Sequence, residues 1–144
     1  MNTPTIAREL SKTWNVEQNP IVELEAPHSD ARGSIIPLVD ETMRSAVLIT
    51  SKKNTVRANH FHHTDWHYCY VLKGAIDYYY RPTGSNLPPK CTRVSQGQMF
   101  FTPSQCDHAM HFVEDTEFLC LGRNPRDQAT YEADITRIEL FNAP

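Results

Sequence analysis

The stretch VRANHFHHTDWHYCYVLKG, residues 56–74, holds four of the chain's seven histidines, at positions 60, 62, 63 and 67, and closes on a glycine after a run that reads as a buried β-strand. Successive residues of a strand point to opposite faces, so His60 and His62 share one face while Phe61 and His63 point away. An HxH pair on a strand is a bidentate clamp. WHYCYVL reads as the next strand of an antiparallel pair, with HTD as the turn, which would return His67 beside the clamp with Cys69 and Val71 on its face. Two imidazoles buried side by side need partners or carry a desolvation cost, and a metal or a substrate supplies one.

A fourth imidazole comes from GQMFFTPSQCDHAMHF, residues 97–112. It reads as a strand, a proline-containing turn and a second strand with His108, Met110 and Phe112 on one face. Four imidazoles converging inside a barrel mouth would suit zinc or another first-row divalent ion that accepts neutral nitrogen ligands. The histidines outside this set, His28, His63 and His111, read as partly exposed polar side chains. Cys106 stands two residues before His108, but a small buried thiol is the simpler reading.

The rest of the chain agrees with a β architecture. Short apolar runs (IVELEA, SIIPLV, AVLIT, AIDYYY, EFLCLG, ITRIEL) alternate with turn-rich pieces (PHSDARG, SKKNT, RPTGSNLPPK), the punctuation of an antiparallel sandwich or barrel. Helix is expected only around TIARELSKTW and in RDQATYEAD. The YYY run at 78–80 reads as alternating strand packing. At 144 residues the chain is long enough for one domain and one core. Lys plus Arg number 14 against 17 Asp plus Glu, with no basic stripe, which argues against nucleic acid. No apolar window is long enough for a transmembrane helix and the polar start MNTPTIARELSKT lacks a signal-peptide core, so a cytoplasmic location and no membrane partner are expected. Cys69, Cys91, Cys106 and Cys120 lack CxxC spacing and are expected as free thiols.

The first stretch resembles the first cupin motif, G-x5-HxH-x4-E-x6-G, with Asn54, His60, His62, His67 and Gly74 at its marked positions. Gly97, Pro103, Gln105 and His108 are similar to the second, G-x5-PxG-x2-H. Asn54 and Gln105 stand for glycines, and His67 stands for the glutamate. The resemblance implies an all-β cupin, a double-stranded β-helix or jelly-roll barrel, spanning roughly 20–124, with residues 125–144 packing on it as part of a single domain 1–144. It also implies a metal site of four histidines, His60, His62, His67 and His108, with zinc first and iron, nickel or manganese as alternatives, and a homodimer, as cupins of this size commonly form.

A narrower resemblance rests on DARG (30–33) with SIIPL, similar to the DxRG entry of the dTDP-4-dehydrorhamnose 3,5-epimerases, and on VRANH, similar to VRGxH of those epimerases, of nucleotide-sugar 3,4-ketoisomerases and of the zinc cupin domains of capsular-polysaccharide keto-sugar C3-epimerases. It implies epimerisation or isomerisation of a nucleotide-linked 4-keto-sugar for surface polysaccharide, with Arg32 and Arg57 on the diphosphate and His60 in the place of the base. Removing a proton next to a ketone needs a base and a means of stabilising an enolate. A tyrosine commonly returns the proton, and Tyr131, in the polar segment NPRDQATYEAD that could fold back over the barrel mouth, is the first candidate. A metal-bound His60 cannot also be a free base at the same nitrogen, so the two mechanisms compete. A metal-dependent dioxygenase of a small organic molecule and a noncatalytic sugar- or metabolite-binding cupin stay as alternatives.

Overall fold

The computed structural model describes residues 19–144. The strands are β1 (Ile21–Val22), β2 (His28–Asp30), β3 (Gly33–Ile35), β4 (Ser45–Ser51), β5 (Val56–His62), β6 (His67–Lys73), β7 (Ala75–Pro82), β8 (Lys90–Ser95), β9 (Met99–Thr102), β10 (Cys106–Phe112), β11 (Thr116–Gly122) and β12 (Ile135–Arg137). Among the described residues one helix, α1 (Gln128–Asp134), is present, and it falls within the RDQATYEAD segment where helix is expected. The TIARELSKTW segment lies outside the described residues. Two five-stranded antiparallel sheets, ordered β1-β9-β6-β11-β4 and β12-β5-β10-β7-β8, face each other as a jelly roll, and β2 and β3 form a separate hairpin.

Alternation along the strands builds two apolar layers. Cys69 and Val71 of β6, Phe100 of β9, Tyr78 and Tyr80 of β7 and Met110 and Phe112 of β10 belong to one buried cluster. The opposite-facing Tyr68, Met99 and Phe101 form a second with Val22, against which Leu24, Leu38, Val39 and Met43 pack. Tyr79 points out of the first layer and stacks on Phe141 at 4.2 Å, so the three tyrosines do alternate. Each fully buried aromatic contributes roughly 1.5–3 kcal/mol by leaving water.

One expectation is corrected. β5 and β6 do not pair: β5 is bonded to β10 and β12, and β6 to β9 and β11. The HTD segment is a crossing between the two sheets, so His67 meets the HxH clamp from the facing sheet. Chain direction alone cannot distinguish a hairpin from such a crossing.

Candidate functional site

His60 and His62 project from β5, and His108 from β10, where it is the register partner of His60. A shift in that ladder between His108 and Ala109 leaves Asn59 without a partner strand residue, and Ala58 (φ 69°) and Asn59 (φ 52°) both adopt left-handed backbone. Such a bulge bends the strand and re-aims the side chains after it. Ala58 is the residue at the glycine position of the VRGxH resemblance. The side chain of Asn59 anchors the C-terminal segment, accepting from the Leu140 and Phe141 amides and donating to the Phe141 carbonyl at 2.9 Å.

The four imidazoles come together. Ring centroids are 4.8 Å apart for His60 and His62, 4.9 Å for His60 and His108, 5.3 Å for His62 and His67, and 5.8 Å for His67 and His108. All four are buried. One nitrogen from each of His60, His62 and His108 lies within 4.8 Å of the others. A tetrahedral zinc with Zn–N near 2.0–2.1 Å needs donors about 3.4 Å apart, so small rotamer adjustments would close these three, whereas a nitrogen of His67 groups with His62 and Asp65 and with Cys69 and Cys120.

Protonation follows from burial. His62, His67 and His108 are each pushed down to about 3, and His60 lower still. Desolvation is the main cause in every case, and neighbouring imidazoles add to it. At neutral pH the rings are therefore uncharged and carry bare lone pairs. His108 shows this directly: its Nδ1 lies 2.8 Å from the Cys106 carbonyl, which can only accept, so Nδ1 holds the proton and Nε2 is the lone pair. That Nε2, and both ring nitrogens of His62, are buried without a hydrogen-bond partner among the described residues. His62 Nδ1 has Asp134 Oδ2 at 3.5 Å, too far for a good hydrogen bond. Orphaned imidazole nitrogens, one of them oriented by a backbone carbonyl behind it, are what a metal centre presents.

Tyr131, on α1, lines the same cavity of about 360 Å³, with its hydroxyl 3.4 Å from His60 Nε2. Burial pushes its phenol up to about 12, so it is protonated at neutral pH. Asp127 caps the helix that carries it, accepting from Thr130 N at 3.1 Å. Arg57 lies at the cavity rim, donating to Ser51 Oγ and to the Thr50 carbonyl, and also borders an open groove of about 650 Å³ along Thr50, Lys52 and Lys73. Arg32 does not line the cavity. It sits on the exposed β2–β3 hairpin, paired with Asp30 at 2.6 Å and 90% exposed.

Two cavity residues escaped the reading of the sequence. Asp65, buried, offers a carboxylate oxygen within 4.8 Å of nitrogens from His62 and His67. Its position just after the HxH pair was the available signal. Arg126, also on the cavity wall, stacks its guanidinium 3.5 Å from the Tyr131 ring centroid. Nothing in the local sequence marks it.

No protein-family model matches the chain and no curated protein matches it in sequence. Solved structures do match its shape. QdtA, a sugar 3,4-ketoisomerase from Thermoanaerobacterium thermosaccharolyticum in complex with TDP, aligns with a TM-score of 0.63 at 16% identity over 78% of this chain and 82% of its own. The dTDP-4-dehydrorhamnose 3,5-epimerase from Sulfolobus tokodaii aligns at 0.65 and 15% identity over 88% and 87%. The capsular polysaccharide assembling protein CapF from Staphylococcus aureus aligns at 0.59 and 19% identity over 81% of this chain and 34% of CapF. The fold is thus the all-β cupin jelly roll, with four buried histidines brought together in its interior.

Proposed function

We propose that this chain is a metal-binding cupin that epimerises or isomerises a nucleotide-linked 4-keto-sugar. The observation that carries the reading is the buried cluster of neutral imidazoles with orphaned nitrogens, beside a protonated tyrosine, in a fold shared with ketoisomerase and epimerase structures. His60, His62, His67 and His108 would hold the ion, zinc first and iron, nickel or manganese behind it. A bound divalent ion would supply Lewis acidity toward a carbonyl oxygen.

The chain's own groups define the rest. The burial that lowers the histidine pKa values makes them weak bases but good neutral ligands, which favours ligation over the base role for His60. Tyr131 is the proton donor, its hydroxyl held over the cluster by α1, and the proton leaving C3 goes to a cavity histidine that the ion leaves unligated. Arg57 and Arg126 flank the entrance and suit a diphosphate, whose oxygens accept paired guanidinium hydrogen bonds, and the groove beyond Arg57 takes the nucleoside end. Arg32 lies outside its own chain's cavity, so it reaches the diphosphate only from a second copy in the expected homodimer. A cytoplasmic location and surface-polysaccharide synthesis belong to the same proposal.

Incubation with a dTDP- or UDP-linked 4-keto-6-deoxy sugar in deuterated water should place deuterium at C3. Tyr131→Phe should slow exchange about 10²-fold or more, the usual worth of a general acid. Absence of exchange across such sugars, with no nucleotide affinity, would favour a noncatalytic binding cupin. Asp65 supports one further reading: with His62 and His67 it forms a two-histidine, one-carboxylate set suited to iron and oxygen chemistry. Oxygen consumption by the iron-loaded protein would select that alternative.

A further inference from the structure

Opposite the histidine clamp, β6 and β11 place a second set of ligand atoms. His67 and Cys69 are two residues apart on β6 and so share its inner face, and Cys120 of β11 is the direct register partner of Cys69. All three line the cavity. A nitrogen of His67 and the sulfurs of Cys69 and Cys120 lie within 4.8 Å of one another, with His67 and Cys69 buried and Cys120 half-buried. Gly122 is the register partner of His67, so no opposing side chain separates the imidazole from the sulfurs.

We propose that His67, Cys69 and Cys120 form a second, thiolate-bearing site for a zinc-class ion, sharing His67 with the histidine cluster and leaving the fourth position open to the cavity. Zinc–sulfur bonds near 2.3 Å set tetrahedral sulfur–sulfur distances at about 3.8 Å, so the atoms need close by no more than about 1 Å. Thiols ligate as thiolates, so binding here would be coupled to release of thiol protons into the cavity. An ion held here withdraws His67 from the four-histidine set and trades an all-nitrogen environment for a soft one, which favours zinc, cadmium or copper(I) over manganese.

The test is titration of the metal-free, reduced protein with cobalt(II) chloride alone, followed by absorption spectroscopy. Thiolate ligation gives intense near-ultraviolet charge-transfer absorption, whereas an all-histidine site gives only the weak visible bands. The charge-transfer absorption should appear in the wild type, persist in a Cys91→Ser/Cys106→Ser variant, fall in Cys69→Ser and in Cys120→Ser, and vanish in the Cys69→Ser/Cys120→Ser variant. His67→Ala should weaken cobalt binding about 10–100-fold. Cobalt binding with no charge-transfer absorption in the wild type, or absorption that survives loss of Cys69 and Cys120, overturns the proposal. Neither result bears on sugar exchange at C3, so the two readings fail separately.

Discussion

The four motif positions that cupins fill with glycine are all left-handed in this chain: Asn54 (φ 64°), Gly74 (φ 93°), Gly97 (φ 83°) and Gln105 (φ 56°). The motif thus survives as backbone conformation where its residues have changed. Asn tolerates this region through local hydrogen bonding, and Asn54 Oδ1 lies 2.8 Å from His111 Nε2. Gln105 has a weaker compensation, an exposed hydrogen bond from its Nε2 to the His63 carbonyl at 3.2 Å. Gln105→Gly should therefore raise stability by a few tenths to about 1 kcal/mol, relief of left-handed strain outweighing the added freedom of the unfolded chain. Gly74→Ala should lower it by more than about 2 kcal/mol, since a Cβ there would lie 2.5 Å from the Asp115 carbonyl oxygen. Urea unfolding of both variants reads the two signs. This residue scale is also where the sequence was most legible. Strand alternation in HFH and DHAMHF placed His60, His62 and His108 correctly, because side-chain direction depends only on local backbone. Asp65 and Arg126 were not legible, because both reach the cavity through loops whose course is decided by distant contacts.

At the scale of elements, the segment after β11 closes the site. Asp134, the last residue of α1, accepts from Thr64 N at 3.0 Å, Thr64 Oγ1 at 2.7 Å and Asp65 N at 2.9 Å, tying the helix to the β5–β6 crossing. Burial works against its charge, but these hydrogen bonds outweigh that and keep the carboxyl below the usual range. Asp134→Ala should cost about 2 kcal/mol in urea unfolding, the scale of hydrogen bonds to a charged group. It should also weaken zinc about 10–100-fold in competition with a chelating dye, because the crossing carries Asp65 and leads into His67. Unchanged zinc affinity would detach α1 from the metal site. Helix in RDQATYEAD could be read from composition, yet its return onto the barrel could not, since it depends on Asn59, Thr64 and Asp65 being presented together by the folded sheets. The β5–β6 crossing was likewise misread as a hairpin, because short polar connections serve both.

For the whole molecule, four buried neutral histidines dictate a pH response. Each has an unfolded pKa near 6.5 and a folded value of about 3 or below. Between those limits the unfolded state binds more protons, so stability is full above about pH 7 and is lost as pH falls. At about 1.4 kcal/mol per proton per pH unit, four groups acting together would remove on the order of 5 kcal/mol by pH 5.5. Stability that stays flat from pH 7 to 5 would show that the imidazoles are not buried as described. Bound metal steepens the same loss, because its ligands must stay deprotonated. The most direct test of the account is therefore elemental analysis of protein purified without an affinity tag, alongside His67→Ala and His63→Ala variants. The account predicts about one equivalent or more of a divalent transition metal, zinc foremost, strongly reduced in His67→Ala and retained in His63→Ala, whose ring faces Thr136 instead. Less than about a tenth of an equivalent of any such metal after attempted reloading, at neutral pH with the protein folded, would contradict it.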